Sequence, residues 1–265
     1  MKLSFFKYSD SMKSTTQTIT TPDGIKIAAK KLEGVLPTVI FLPGVFSNME
    51  GTKARYLEKC CKKRNQAYIR FDYRGHGQSE GVFEEGTLSD WLKDTLLVLD
   101  ELARGPVVAV GSSMGGWIAL LAAMARPELI RGLVGVASSP DFTQTLYHER
   151  LTGEQRRQLD QDGSISQPSE YRDEPVIITQ KLIEDDKKHL LLHRESLNLN
   201  IPVCLIHGKN DSDVSWKKSE KLHQIIGKED CELILVSDGQ HRLSREKDLA
   251  LIDKHVQKIS RQTGV

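Results

Sequence analysis

Val107-Val108-Ala109-Val110-Gly111-Ser112-Ser113-Met114-Gly115-Gly116-Trp117-Ile118-Ala119-Leu120-Leu121-Ala122-Ala123 is the stretch on which the reading of this chain turns. Val107 to Gly111 is uncharged and rich in β-branched residues, as in a strand buried on both faces. Met114 to Ala125 reads as a helix, halted at Arg126-Pro127. Between them stands Gly111-x-Ser113-x-Gly115. A strand that turns into a helix so abruptly forces its central residue into strained φ/ψ. Glycines two residues to either side remove Cβ atoms that would clash. The Ser113 hydroxyl then projects from the sheet edge above a helix N-terminus whose N–H groups are unpaired. Ser113, not Ser112, holds the central position. The charge-free run Gly105–Ala125 has 21 residues, enough to cross a bilayer. Its Gly-Ser-Ser-Met-Gly-Gly centre suits a sharp bend instead, so no membrane span is expected.

Outward from this point, short apolar runs alternate with helical patterns. Thr15–Thr20 and Ile25–Lys30 flank the turn tripeptide Pro22-Asp23-Gly24 and read as a hairpin. Thr38–Leu42 is a predicted strand, Gly51–Arg64 a helix, Ala67–Tyr73 a strand and Thr87–Arg104 a helix. Leu133–Ala137 is a strand. Val203–His207, Ser215–Ile226, Glu232–Val236 and Ser244–Ser260 resume the order strand, helix, strand, helix. Apolar strands alternating with helices imply an α/β architecture with a mostly parallel sheet covered on both faces. The polar segment Ser138–Asn200, with predicted helices at Gly153–Leu159 and Thr179–Leu192, is too long for an ordinary connection. It is expected to be a cap inserted into a single domain that spans residues 1–265. Its apolar runs Val176-Ile177-Ile178 and Leu190-Leu191-Leu192 seek burial, which argues against a plain surface loop.

A serine hydroxyl is a weak nucleophile at neutral pH and needs a base, which in turn needs an orienting acid. Both follow in the order Ser…Asp…His. After the strand Val203–His207 comes Gly208-Lys209-Asn210-Asp211-Ser212-Asp213-Val214, and after Glu232–Val236 comes Ser237-Asp238-Gly239-Gln240-His241. Asp211 and His241 thus lie past the carboxyl ends of strands, where ligands of open α/β sheets gather. Asp213 and Asp238 are rival acids, the first reading as a solvated turn residue and the second as part of a plain turn. Among the other histidines, His76 lies in a loop and reads as structural, and His207 is expected to bond backbone. His189 and His193 are four apart on a predicted helix, yet lack the H-E-x-x-H pattern and a third ligand. The developing oxyanion needs N–H donors. Met114, next after the nucleophile, is one; Val45, in the Pro43-Gly44-Val45-Phe46 loop, is the expected second, with Phe46 as substitute, because Pro43 has no N–H.

The 37 basic and 36 acidic residues nearly balance, which argues against bulk binding to nucleic acid or an anionic membrane. Four cysteines, at 60, 61, 204 and 231, form neither a disulfide framework nor a metal spacing, so reduced thiols in an intracellular compartment are expected. Met1–Ser14 carries no signal-peptide core and makes a poor transit peptide. A cytoplasmic location is expected. No pattern specifies an oligomeric state.

The motifs Gly111-Ser112-Ser113-Met114-Gly115, His207-Gly208-x-x-Asp211-x-x-Val214 and His241, with Phe71-Asp72-Tyr73-Arg74-Gly75-His76-Gly77-Gln78-Ser79, resemble the α/β-hydrolase family over nearly the whole chain. Val39–Gly44, Asn48–Lys53 and Gly111–Trp117 are similar to a mitochondrial branch of that family, the abhydrolase-domain acyl-protein thioesterases and acyl-glucuronide esterases. The resemblance implies a serine hydrolase that cleaves esters or thioesters through an acyl-enzyme, acting on a small-molecule ester or an S-acylated protein. It implies Ser113, Asp211 and His241 as catalytic residues, Val45 and Met114 as the oxyanion hole, and no metal or organic cofactor. Mitochondria are the alternative location. A non-catalytic hydrolase-fold protein that binds an acyl ligand or a partner is the alternative function, although a binding module has no need of all three residues.

Overall fold

A computed structural model describes residues 13–168, 175–227 and 229–263. The reading of Met1–Ser14 therefore falls almost wholly outside the described residues. The elements in chain order begin with β1 (Thr15–Thr20), β2 (Lys26–Leu32), β3 (Val35–Leu42), α1 (Thr52–Lys63) and β4 (Gln66–Phe71). Next come α2 (Leu88–Leu102), β5 (Val107–Ser112), α3 (Met114–Ala125) and β6 (Ile130–Val136). The segment after β6 holds α4 (Phe142–Thr145), α5 (Gly153–Asp162), β7 (Ser164–Gln167), β8 (Val176–Thr179) and α6 (Gln180–Asp186). The chain closes with β9 (Val203–Gly208), α7 (Lys217–Ile226), β10 (Cys231–Val236) and α8 (Glu246–Gln262).

Eight strands form one sheet in the order β1-β2-β4-β3-β5-β6-β9-β10. β1 and β2 pair antiparallel, as do β2 and β4; every pair from β4 through β10 is parallel. The inner strands are buried on both faces, and successive residues point to opposite layers. Val39, Phe41, Val108, Val110, Val134 and Val136 pack with Leu57 of α1 and Val256 of α8. Ile40, Leu42, Val107, Ala109, Leu133 and Leu205 pack on the other side with α2, α3 and α7. The expected mostly parallel, doubly covered sheet is present. Its parallel strands aim their carboxyl ends at one edge, where the loops after β3, β5, β9 and β10 meet.

The run Gly105–Ala125 divides into β5 and α3. Among the described residues no helix is long and apolar enough to cross a membrane. Burial of the Cys61, Cys204 and Cys231 thiols pushes each up to about 12, and Cys60 is raised too, so none is an activated thiol.

Between Ser138 and Asn200 the structure departs from the predicted elements. β7 and β8 form an antiparallel hairpin where the pattern shows none. The helix expected over Thr179–Leu192 ends at Asp186, followed by one 3-10 turn at Lys187–His189. The Asp141 carboxylate accepts hydrogen bonds from the backbone N–H groups of Leu191 and Leu192, both at 2.9 Å. Those amides are thereby held outside a helix, where Arg194 N–H closes a turn onto the Leu191 carbonyl at 3.1 Å. His193 accordingly does not share a helix face with His189. His189 instead faces Ser89 Oγ at 2.6 Å, while its carbonyl accepts the Trp117 indole N–H at 3.0 Å.

The tightest backbone packing lies around the β5–α3 turn. A Cβ on Gly115 would fall 2.1 Å from the Leu42 carbonyl oxygen, and one on Gly111 2.2 Å from that of Gly115. These contacts are backbone against backbone, so a new methyl has no flexible neighbour to displace. Gly115→Ala is expected to cost about 1–3 kcal/mol and to lower Tm by roughly 3–10 °C, as read by calorimetry. An unchanged Tm would show that the turn can widen freely.

Candidate active site

Ser113 stands between β5 and α3 with φ 56° and ψ −121°, a conformation that non-glycine residues avoid. It is held there by its own N–H, which donates to the Val136 carbonyl at 2.9 Å, and by its carbonyl, which accepts from Gly116 and Ser139. The sheet register and the first turn of α3 therefore enforce the strain. The hydroxyl is turned out of the strand toward the loop after β10.

Two loops bring the partner side chains to it. The loop after β9 and the loop after β10 meet through Gly208 and Gly239; a Cβ on Gly208 would fall 2.3 Å from the Gly239 carbonyl oxygen. The backbone N–H of Asn210 donates to that same carbonyl at 2.9 Å. This close approach puts His241 Nδ1 2.8 Å from Asp211 Oδ2, and His241 Nε2 3.1 Å from Ser113 Oγ. A carboxylate accepts only, so Nδ1 carries the proton and Nε2 presents its lone pair to the serine hydroxyl. That is the tautomer a general base requires.

Asp211 is buried, with a side-chain exposure of 0%. Its Oδ1 accepts the backbone N–H groups of Asp213 and Val214 at 2.9 and 2.8 Å. Its Oδ2 accepts His241 Nδ1–H and also His207 Nε2–H, the latter at 3.0 Å. Burial favours the neutral acid, yet the hydrogen bonds from His207 and His241 outweigh it and hold the carboxyl well below the usual range. His207 was expected to bond backbone. It does so through Val214 O at 3.0 Å, but the same Nε2–H also reaches the carboxylate. Nδ1 lies 2.7 Å from Ser219 Oγ, so this fully buried imidazole is held at both nitrogens. The spacing His207-x-x-x-Asp211 was the available signal for this contact.

Of the rival acids, Asp238 lies on the surface, paired with Arg245 at 2.8 Å and with Lys247. Asp213 contributes its backbone N–H to Asp211 Oδ1, while His241 Nδ1 takes Asp211 Oδ2 at 2.8 Å. His76 is buried among Tyr73, Phe83 and Trp91, and burial brings it down to about 4, so it is a neutral packing residue.

Met114 opens α3, where the first N–H groups have no intrahelical acceptor. The Pro43-Gly44-Val45 loop lies directly against the nucleophile: a Cβ on Gly44 would sit 3.1 Å from Ser113 Cβ. Side chains from β4 and the loop after it fix that loop. Tyr73 Oη donates to the Pro43 carbonyl at 3.2 Å, Asp72 Oδ1 accepts the Met49 N–H at 2.6 Å, and Arg70 donates to the Met49 carbonyl at 2.6 Å.

Two cavities open onto Ser113 and His241. The larger, about 820 Å³, is walled by apolar side chains from the segment after β6, among them Phe142, Leu146, Leu151, Val176 and Ile178, and by the charged Glu149, Arg150, Lys209 and Lys218. The smaller, about 290 Å³, lies between the loop after β3, the start of α1 and Arg242. Val45 lines both. Among the described residues, Asp211, Asp213 and His241 bring potential metal-ligand atoms within 4.8 Å of one another. Both Asp211 oxygens are already saturated by N–H donors there, so this donor set does not fit an ion. A second cluster, Cys204, Glu232 and His255, holds a protonated thiol and a glutamate paired to Lys258 at 2.8 Å.

The family described as "alpha/beta hydrolase fold" matches residues 37–164. The protein named palmitoyl-protein thioesterase ABHD10, mitochondrial, of Homo sapiens is 40% identical over 253 residues, covering 94% of this chain and 82% of that one. The solved structure of alpha/beta hydrolase domain-containing protein 10 from mouse superposes with a TM-score of 0.84 at 38% identity, over 93% of this chain and all of that one. A putative hydrolase from Agrobacterium vitis S4 superposes with a TM-score of 0.88 at 34% identity over 95% of this chain and 100% of that one.

The second imidazole on Asp211 has a measurable consequence. A carboxyl with a depressed folded-state pKa contributes stability that is present above its unfolded value and is lost as pH falls below it. His207→Leu removes one cause of that depression. The variant is expected to lose about tenfold in kcat with KM within about twofold, and His207→Gln, which keeps an N–H donor, to retain more. Its stability deficit, from urea unfolding, is expected to narrow as pH drops below about 4. A deficit independent of pH would mean that His207 only packs.

Proposed function

The chain belongs to the α/β-hydrolase family, and on that premise we propose that it is a serine hydrolase which cleaves thioesters or activated oxygen esters of fatty acids. The observation that carries the reading is the relay Ser113 Oγ to His241 Nε2 at 3.1 Å and His241 Nδ1 to a buried Asp211 at 2.8 Å, opening onto a cavity with an apolar wall. A binding module would gain nothing from a strained serine with a base aimed at its hydroxyl.

Ser113 Oγ attacks the carbonyl carbon while His241 Nε2 takes its proton. Asp211 keeps the ring in the required tautomer and stabilises the imidazolium. The N–H groups of Met114 and Val45 receive the oxyanion, in a site where water is largely replaced by fixed dipoles. His241 then protonates the departing sulfur or oxygen, and a water activated by the same ring hydrolyses the acyl-serine. Every proton moves through His241, and no cofactor enters the steps.

The cavity of about 820 Å³ falls within the roughly 300–1,000 Å³ of small-molecule sites and takes the acyl chain against Phe142, Leu146, Val176 and Ile178. Residues 138–200, which supply those side chains, act as the cap of a single domain. The name of the human relative supports an S-acylated protein as substrate and mitochondria as the compartment, the alternative location raised by the sequence motifs.

Ser113→Ala is expected to reduce hydrolysis of p-nitrophenyl octanoate and of an S-octanoyl thioester by about 10³-fold or more, and to abolish labelling by a fluorophosphonate probe, with an unchanged Tm. A folded wild-type protein that neither labels nor turns over either substrate would replace the enzyme by an acyl-binding protein. Turnover by Ser113→Ala near the wild-type level would remove Ser113 from the mechanism.

A further inference from the structure

The loop that carries the expected oxyanion donor also contains a strained residue. The Ser47 N–H donates to the Gly44 carbonyl at 3.0 Å and closes a four-residue turn with Val45 and Phe46 at its inner positions. Phe46 has φ 59°, whereas Val45 keeps out of the left-handed region. That combination is a type II turn, whose third residue is ordinarily glycine or asparagine. The turn's own hydrogen bond uses neither inner N–H, so the conformation at 46 sets where the Val45 and Phe46 donors stand. A phenylalanine pays a Cβ penalty there and stays only where its surroundings over-determine it.

Those surroundings are aromatic. The Phe46 ring lies 4.5 Å from the Phe83 ring, centroid to centroid. Phe83, which opens the 3-10 turn Phe83–Glu85, is buried and stacks on Trp91 at 5.5 Å. His76 stands edge-on to Phe83 and to Tyr73, at 5.4 and 5.5 Å. The Tyr73 hydroxyl in turn donates to the Pro43 carbonyl at 3.2 Å. One aromatic cluster thus grips the loop on both sides of Gly44, at the Pro43 carbonyl and at the Phe46 ring. Ring pairs of this kind contribute beyond the area they bury, which offsets a strained backbone. Resting on the serine-hydrolase reading given above, we propose that Phe46 is a positioning residue: its ring, seated on Phe83, holds the backbone of residue 46 left-handed and so keeps the Val45 N–H where the oxyanion develops.

The rival role is that of a wall, since Phe46 lines both cavities. A wall acts through ring volume, whereas a positioning residue acts through backbone preference. Every variant at 46 keeps its N–H, so the two roles separate by φ. Glycine and asparagine tolerate a positive φ; alanine and valine resist it. The substrate is p-nitrophenyl acetate, whose two-carbon acyl group is too short to need the ring as a wall. Phe46→Ala and Phe46→Val are expected to lose about 30-fold in kcat with KM within about threefold, and Phe46→Gly and Phe46→Asn to lose no more than about fivefold. Affinity for ethylboronic acid, which forms a tetrahedral adduct on the serine, is expected to fall in the same order. One variant of each pair that keeps a wild-type-like Tm suffices for the comparison. Phe83→Leu, which leaves residue 46 untouched, is expected to lower kcat in the wild-type background and far less in the Phe46→Gly background. Equal losses in all four variants, a larger loss for glycine than for alanine, or a boronate affinity that does not change overturns the proposal. A wild type that neither hydrolyses the acetate nor reacts with a fluorophosphonate overturns the serine-hydrolase reading itself, an outcome distinct from any ranking at position 46.

Discussion

The carboxylate of Asp211 organises the site. It is buried, yet four N–H donors converge on it: two from its own loop, one from His241 and one from His207. An ionised acid withdrawn from water is costly unless its lone pairs are filled, and here they are. The donors arrive from three directions, so the group works as a joint. It closes its own loop through Asp213 and Val214, ties that loop to β9 through His207, and orients the His241 ring that faces Ser113. His207 is itself pinned by Ser219 of α7. Rotation of the carboxyl would break several charge-assisted bonds together, which gives the acid a single orientation and the base a single tautomer.

A second constraint is steric. The turn that presents Ser113 exists because Gly111, Gly115 and Gly116 let β5, α3 and neighbouring residues approach within a carbon radius. The strained φ of Ser113 is sustained by hydrogen bonds from the sheet and from α3. The Gly208–Gly239 contact does for the acid and base loops what the elbow glycines do for the nucleophile. Five glycines therefore bear on three side chains far apart in sequence, and the carboxyl edge of a parallel sheet is the one place where such loops share a rim.

How legible this was in the sequence depends on the range of the forces involved. The elbow was readable because its signal is local: five residues fix the turn, and the flanking runs fix a strand and a helix. The order Ser113, Asp211, His241 was readable because each follows an apolar strand. Parts of the segment 138–200 were not. Val176–Thr179 is too short an apolar run for periodicity to separate strand from helix, and its partner Ser164–Gln167 is mostly polar. The helix expected through Leu192 stops early because Asp141, about fifty residues upstream, claims the amides of Leu191 and Leu192. His207 looked like a strand end, since the Gly208–Asp211 turn that folds the carboxylate back onto it depends on the tertiary contact with Gly239.

The two cavities also constrain the order of events. They meet at Ser113 and His241; the larger joins apolar side chains of the segment after β6 to Arg150, Lys209 and Lys218, and the smaller is bounded by Lys53 and Arg242. After acylation the tail remains among Phe142, Leu146 and Val176, where burial retains it. On the proposed mechanism, His241 Nε2 next takes a proton from water, and the smaller cavity adjoins that ring. The two cavities thus divide at the serine, one toward the segment after β6 and the other toward the loop after β3 and the start of α1.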